Sequence, residues 1–280
     1  MSAGIFGERA GAAWTLLQEQ TDAQLDPFGR EAMARLGLER GERVVDVGCG
    51  CGQTLLELAD LVGPDGRVLG VDISQPMLER ARERAAGRPS VSFSLADAQT
   101  YAFAPASFDA AFSRFGVMFF DDARAAFANL RRALVAGGRL AFVCWQEIAR
   151  NPWAERPLRA VLGVLGRDTA PELLRAGNPG PFYFSDPDRV RSILTGAGFT
   201  DVAIEPYEHP MNLGAAATLE EALAYSRHIG PAARAMADAD PKLRPALDAA
   251  LTGALAPFAS ARGVWTDAAT FIVTARSPAS

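Results

Sequence analysis

The sequence predicts an α/β fold with a doubly wound, seven-stranded, mostly parallel sheet, and three observations carry that prediction. Between residues 44 and 145, strand-like apolar runs alternate with segments of helical periodicity. The strand-like runs are continuously apolar, as parallel strands covered on both faces must be. Turn residues punctuate the junctions, with Gly63-Pro64-Asp65-Gly66 ending one helix and Gly137-Gly138 another. Strictly alternating strands and helices close into a parallel sheet with helices on both faces.

The first 43 residues read as two helices, one carrying Trp14, Leu16, Leu17 and Leu25 and a second from about Pro27 to Leu38. The alternation then runs through strand RVVDVG, helix TLLELADLV, strand RVLGVDI and helix QPMLERARERAA. It continues with strands VSFSLAD and FDAAFS, helix DARAAFANLRRAL and strand RLAFVCW. Leu55, Leu58, Ala59 and Val62 share one helix face, as do Phe127, Leu130 and Leu134. After Trp145 the rhythm breaks into a Pro/Gly-rich stretch, followed by a helix at about 187–197. DVAIEPYEHPMNL and ATFIVTAR predict the last two strands, separated by a mostly helical insert from Leu219 to Phe258. The expected organisation is N-terminal helices covering the cofactor site (1–43), a cofactor-binding core (44–145), and a region (146–280) that adds the last two strands and a substrate-side cap, 146–185 and 214–265.

Composition narrows the function. The net charge is −5, so clustered positive charge for a nucleic-acid backbone is not expected. Lys242 is the only lysine. No Gly-Lys-Ser/Thr triplet of a phosphate-binding P-loop occurs, and a pyridoxal Schiff base would have to use Lys242, far from any strand signal. No apolar run is long enough to span a membrane, and the N-terminus lacks the pattern of a secretion signal. Three cysteines suggest a reducing compartment, so a cytoplasmic protein, monomeric or homodimeric, is expected.

One motif decides the class. In Val44-Val45-Asp46-Val47-Gly48-Cys49-Gly50-Cys51-Gly52, a strand runs into alternate glycines and a helix follows. Glycine lets the backbone turn tightly and approach a ligand, and the helix start adds unpaired N–H groups. The next strand ends in Asp72, placed to accept hydrogen bonds from the ribose hydroxyls of an adenosine. A dinucleotide site is the rival, but its Gly-x-Gly-x-x-Gly opens on a pyrophosphate. Here Gln53 stands where the last glycine would fall, and the Asp46 carboxylate would repel a pyrophosphate. Beside a sulfonium with an α-amino group, the same carboxylate is favourable. The Tyr-x-x-x-Lys pair of short-chain reductases is absent.

VVDVGCGCGQT, VDISQPML, LADAQTYAF, FDAAFSRFGVMFF and LRRALVAGGRLAFVCW, in that order, resemble the successive motifs of class I S-adenosylmethionine (SAM)-dependent methyltransferases. The resemblance is greatest to the ubiquinone/menaquinone-biosynthesis-like group acting on small molecules, and it spans about residues 44–145. It implies a Rossmann-like methyltransferase fold that takes SAM and yields S-adenosylhomocysteine (SAH). It also implies that Gly48, Cys49, Gly50 and Gly52 line the methionine end, with Asp46 near its amino group. Asp72 and the adjoining Ile73 would hold the ribose, Met77 the adenine face, and Asp97 and Ala98 the adenine edge. Ser113 and Arg114 would sit under the sulfonium through backbone carbonyls. Ala136 replaces the proline often found before Gly137-Gly138.

Other residues carry weaker signals. Cys49 and Cys51 lack the companion ligands of a zinc site, so no metal is expected. His209, His228 and Glu147 are candidate general bases, each equally readable as a surface or core-edge residue. Phe115, Met118, Trp145, Trp153 and Tyr183 follow strand ends where ligands bind in such folds, and are candidates to wall an apolar acceptor pocket. The stretch after the fourth strand, Ser-Arg-Phe-Gly, is not the Pro-Pro-aromatic signature of amino-methylating DNA enzymes, and no Pro-Cys nucleophile occurs. The expected partner is a small molecule rather than nucleic acid or membrane. An RNA or protein acceptor, or a SAM-binding module without methyl transfer, remains the alternative.

Overall fold

The computed structural model describes residues 8–166 and 178–279. One twisted sheet organises them, in the order β3-β2-β1-β4-β5-β8-β6. Its strands are β1 (Arg43–Val47), β2 (Arg67–Asp72), β3 (Val91–Leu95), β4 (Phe108–Arg114), β5 (Leu134–Trp145), β6 (Thr200–Asn212) and β8 (Gly263–Arg276), with the two-residue β7 (Ala259–Ser260) hairpinned onto β8. The first five strands are parallel, and β8 runs antiparallel to both β5 and β6. Seven strands therefore form the sheet proper, as the apolar runs predict. Val44, Val45, Ala110, Ala111, Phe112 and Phe142 have almost no exposure, which is why their segments show no polar alternation.

Helices α3 (Gln53–Val62), α4 (Gln75–Arg84), α5 (Ala123–Ala133) and α7 (Pro187–Gly196) fall where periodicity predicts them. Asp122 caps α5 by accepting the Ala125 N–H at 2.9 Å, and Asp186 caps α7 by accepting the Asp188 N–H at 2.9 Å. The substrate-side segments contribute α6 (Pro152–Val164), α8 (Leu219–Ser226), α9 (Pro231–Met236) and α10 (Arg244–Leu255), with α6 packed against α9 and α10.

Two boundaries differ from the sequence reading. The N-terminal helices are α1 (Glu8–Leu16) and α2 (Gln18–Leu36), so the break falls at Leu17 and α2 runs through Pro27. An interior proline costs about 3 kcal/mol. Burial of Leu25, Phe28, Ala32, Met33 and Leu36 against the sheet offsets it. Likewise Gly137-Gly138 does not end α5. The helix stops at Ala133 and the glycines lie within β5, where the Gly137 N–H reaches the Ser277 carbonyl at 3.2 Å.

Candidate functional site

The chain runs outward from β1 to β2 and β3, then returns to place β4 on the other side of β1. Strand order reverses there, and the crevice beyond the carboxyl ends of β1 and β4 is where open α/β sheets bind ligands. The glycine loop enters this crevice. Gly48, Gly50 and Gly52 have φ of 72°, 54° and 86°, in the left-handed region that glycine alone adopts without strain. Space is as restrictive as conformation: a Cβ on Gly48 would stand 2.9 Å from the Gly116 Cα, and one on Gly50 2.9 Å from the Met77 methyl.

The loop is fastened to the end of β2. The Gly48 N–H donates to the Val71 carbonyl at 2.8 Å, and the Gly50 N–H donates to Asp72 Oδ2 at 2.9 Å. The Ser74 N–H donates to the other Asp72 oxygen at 2.8 Å. Asp72 is thus aimed by backbone N–H groups, those of Gly50 and Ser74 with that of Ile73 beside them. Burial pushes its carboxyl above the usual range, against the pull of these N–H groups.

Asp46 is fully buried behind the loop. The Thr54 hydroxyl donates to its Oδ2 at 2.6 Å, while Oδ1 has no hydrogen-bond partner. Burial raises its pKa to about 7, opposed by Thr54 and the Arg114 guanidinium. A buried carboxyl with an unused acceptor suits a cationic or N–H-bearing neighbour. Arg114 donates to Gln53 Oε1 at 2.5 Å and pairs with Asp22 of α2 at 3.3 Å. Arg84 of α4 pairs with the other Asp22 oxygen at 2.9 Å and donates to the Cys51 carbonyl at 2.7 Å. Asp22 therefore ties α2 to the glycine loop.

The crevice widens into a cavity of about 520 Å³. Gly48, Gly50, Asp72 and Met77 form one end, and Phe115, Met118, Phe119, Trp145 and Trp153 the other. Phe115 stacks on Trp145 with centroids 4.2 Å apart and planes 12° from parallel, and Trp153 lies 4.8 Å beyond. Phe115 has φ of 59°, a left-handed conformation that costs a non-glycine residue of order 1–3 kcal/mol. Its stack on Trp145 holds it there.

The structure brings most of the predicted residues together. Of the proposed cofactor contacts, Cys49, Ile73 and Arg114 also line the cavity, beside Gly48, Gly50, Asp72 and Met77. Gly52 instead starts α3 against Ala81, and the Ser113 hydroxyl is turned inward, donating to the Val47 carbonyl at 2.7 Å. Asp97 and Ala98 lie outside the lining, with Asp97 accepting from the Gln99 N–H at 2.9 Å. Tyr183 is also outside it, stacked on Phe184 at 4.8 Å. Of the candidate bases, His228 lines the cavity. His209 lies on β6 against Phe28 and Tyr207, and Glu147 is exposed beyond β5; neither reaches the cavity wall.

Sequence reasoning set residues 1–43 and 214–265 around the site but singled out none of the following residues as site residues. Trp14 of α1 and Gln18, Thr21, Gln24 and Leu25 of α2 line the cavity, as do Tyr225 and Ile229 of the insert. A signal existed in the spacing of Gln18, Thr21 and Gln24, which sets three polar side chains on the helix face that also buries Leu25 and Phe28.

Comparison with known proteins agrees with this geometry. Residues 44–138 match the family model for a methyltransferase domain. Nocamycin O-methyltransferase of Saccharothrix syringae is 33% identical over 185 residues, covering 63% of this chain and 65% of that protein. The aklanonic acid methyltransferase of Streptomyces sp. (strain C5) is 40% identical over 118 residues, covering 41% of this chain and 54% of that one. The chain thus spans between about half and two thirds of these relatives. Among solved structures, phosphoethanolamine N-methyltransferase 2 of Haemonchus contortus, in complex with SAM, shares the fold. Its TM-score is 0.53 at 23% identity, covering 90% of this chain and 52% of that one.

Proposed function

We propose that this chain, whose residues 44–138 form a methyltransferase domain of the class I SAM-dependent type, transfers a methyl group from SAM to a small, largely apolar acceptor. The observation that carries the reading is a single cavity lined by the glycine loop and Asp72 and also by the stacked Phe115–Trp145 pair with Trp153 tilted against it. Two relatives whose names specify methylation of small molecules support it.

The residues present fit the cofactor. The Asp72 carboxylate, in the cavity lining, is the acceptor for the ribose hydroxyls, the glycine loop lines the cavity for the methionine end, and Asp46 has an unused acceptor for a cationic neighbour. Met77, in the cavity lining, is assigned to the adenine face, and Asp97 and Ala98, outside that lining, are kept as candidates for its edge. When bound, SAM supplies a methyl carbon on a sulfonium, open to in-line displacement. The protein's part is to hold the acceptor on that axis and keep water out. The aromatic wall supplies the dry surface, and the Asp22 pairs with Arg84 and Arg114 hold α2 across the opening. In this scheme residues 1–43 cover the cofactor, 44–145 bind it, and 146–280 complete the sheet and the acceptor side.

Incubation with methyl-labelled SAM and a metabolite extract, followed by mass spectrometry, tests the proposal. A small apolar product carrying the label is expected. Label appearing in RNA or protein instead, with no labelled metabolite, overturns it.

A further inference from the structure

Three polar side chains in the cavity wall take no part in the cofactor end. Gln24, Thr21 and Tyr225 are 5%, 3% and 3% exposed, and all three line the cavity. They come from two segments, α2 and α8, that meet at Gly214. That glycine has φ of 66°, and a Cβ on it would stand 2.5 Å from the Tyr225 ring, so the phenol packs directly on the backbone. The Gly214 N–H donates to Gln24 Oε1 at 2.6 Å, and the Thr21 and Tyr225 hydroxyls are 3.2 Å apart.

The Gly214 donor settles the orientation of the Gln24 amide: its oxygen faces Gly214, and its nitrogen is the other group. That nitrogen has no hydrogen-bond partner among the described residues. Gln24 lines the cavity, and the complement of its amide NH₂ is an oxygen or nitrogen lone pair. The hydroxyl pair beside it both donates and accepts. Arg114, which acts electrostatically on Tyr225, shares Asp22 with Arg84, and Arg234 also lines the cavity. An acceptor oxygen with lone pairs, and in the hydroxyl case a hydrogen as well, fits such a patch.

Resting on the small-acceptor reading above, we propose that Gln24, Thr21 and Tyr225 form a polar subsite for a carbonyl or hydroxyl oxygen of the acceptor. One anchored oxygen then orients the acceptor against Phe115, Trp145 and Trp153, which line the same cavity. The acceptor class is then an oxygenated compound with an apolar body.

The test uses 1-tetralone and its parent hydrocarbon tetralin, titrated by ligand-observed NMR against the full chain saturated with SAH. The wild type is expected to bind tetralone several-fold more tightly than tetralin. In Tyr225→Phe and Gln24→Met, that preference is expected to shrink about three- to tenfold, the range for one lost neutral hydrogen bond. Tetralin binding and SAH affinity should stay within about twofold of wild type. Tyr225→Phe keeps the ring on Gly214 and removes only an oxygen, so it guards against misfolding of the other variant, and melting curves check both. Loss of the preference in either variant supports the subsite; survival in both overturns it. A tenfold loss of SAH affinity in Tyr225→Phe also overturns it, by assigning the patch to the cofactor. A wild type that binds SAH but neither probe removes the small-acceptor reading itself, and the subsite with it.

Discussion

The two ends of the cavity are built by opposite means. The cofactor end comes from one short stretch, residues 46–77, and its shape is set by backbone: three left-handed glycines, N–H groups fastened to Val71 and Asp72, and a carboxylate aimed by main-chain donors. The acceptor end is a convergence of side chains from α1, α2, the turn after β4, α6 and the α8–α9 insert. Backbone geometry tolerates almost no substitution, whereas a wall of side chains from separate segments can be re-cut one residue at a time. The chain thus combines a fixed donor end with an adaptable acceptor end.

The comparison breaks most readily at Gly48. An added methyl group meets the Gly116 backbone, which cannot swing aside, and the φ of 72° is strained for alanine. With a strain cost of order 1–3 kcal/mol and a displaced loop, Gly48→Ala is expected to lower SAH affinity about a hundredfold by calorimetry. Affinity within threefold of wild type would show that the loop is softer than its geometry implies.

Asp46→Asn should separate stability from binding. The native pKa of about 7 lies above the usual carboxyl value of 3.8, so the native state holds a proton that the unfolded chain releases between those limits. Stability attributable to this group is full at acid pH and lost as pH rises through 7. The asparagine variant should therefore melt higher than wild type at pH 8, with the gap closing toward pH 4. Its SAM affinity should fall about tenfold, the scale of one charge-assisted contact, and wild-type affinity should strengthen from pH 6 to pH 8. Identical pH profiles for variant and wild type would remove Asp46 from the site's electrostatics. Asp72 is a poorer probe than its place in the motif suggests. Its carboxylate also receives the Gly50 and Ser74 N–H groups, so truncation would loosen the loop as well as the ribose contact.

At the other end, Trp153→Ala should lower tetralone affinity about five- to tenfold while leaving SAH within twofold, since truncating an aromatic anchor costs at least 1 kcal/mol. The indole N–H donates to Asn151 Oδ1 at 3.1 Å and the ring lies against Trp145, so the melting temperature should also drop. Equal losses for both ligands would mean that the two ends are not independent. The test is preferable to removing residues 214–265: β8 begins at Gly263, and the insert buries Leu223, Leu247, Leu251 and Leu255, so the deletion would cut both sheet and core.

The same contrast explains what the sequence disclosed. Alternate glycines between an apolar strand and a helix have few physical explanations, and Asp72 follows at the next strand end. That end of the site needs no knowledge of long-range contacts. The strands from β1 to β5 were legible for a related reason, since burial on both faces leaves unbroken apolar runs. Tyr225 and Gln24 were not legible, because they meet only through the folding of α8 onto α2 across Gly214. His209 misled for the complementary reason: it is near the insert in sequence, but β6 carries it to a sheet edge, against Phe28. Pro27 misled because the rule that proline starts a helix is local, and the burial of α2 is not.

The smallest effect is expected at the cysteines, which sharpens the claim that backbone makes the donor end. Cys51 lines the cavity at the centre of the glycine loop, where a nucleophile or metal ligand would be well placed. Its carbonyl receives the Arg84 N–H at 2.7 Å, but its thiol is pushed from 9.0 to about 11, chiefly by burial. The thiolate is the reactive form, and two pKa units reduce its fraction at neutral pH about a hundredfold. Alkylation of Cys51 by iodoacetamide at pH 7.5 should thus be about a hundredfold slower than that of an unperturbed thiol. Cys51→Ala keeps the carbonyl and the glycines on either side, so SAH affinity should change by no more than about twofold. A loss of tenfold or more, or rapid alkylation that abolishes binding, would show that a side chain in this loop does what the backbone is here assigned to do.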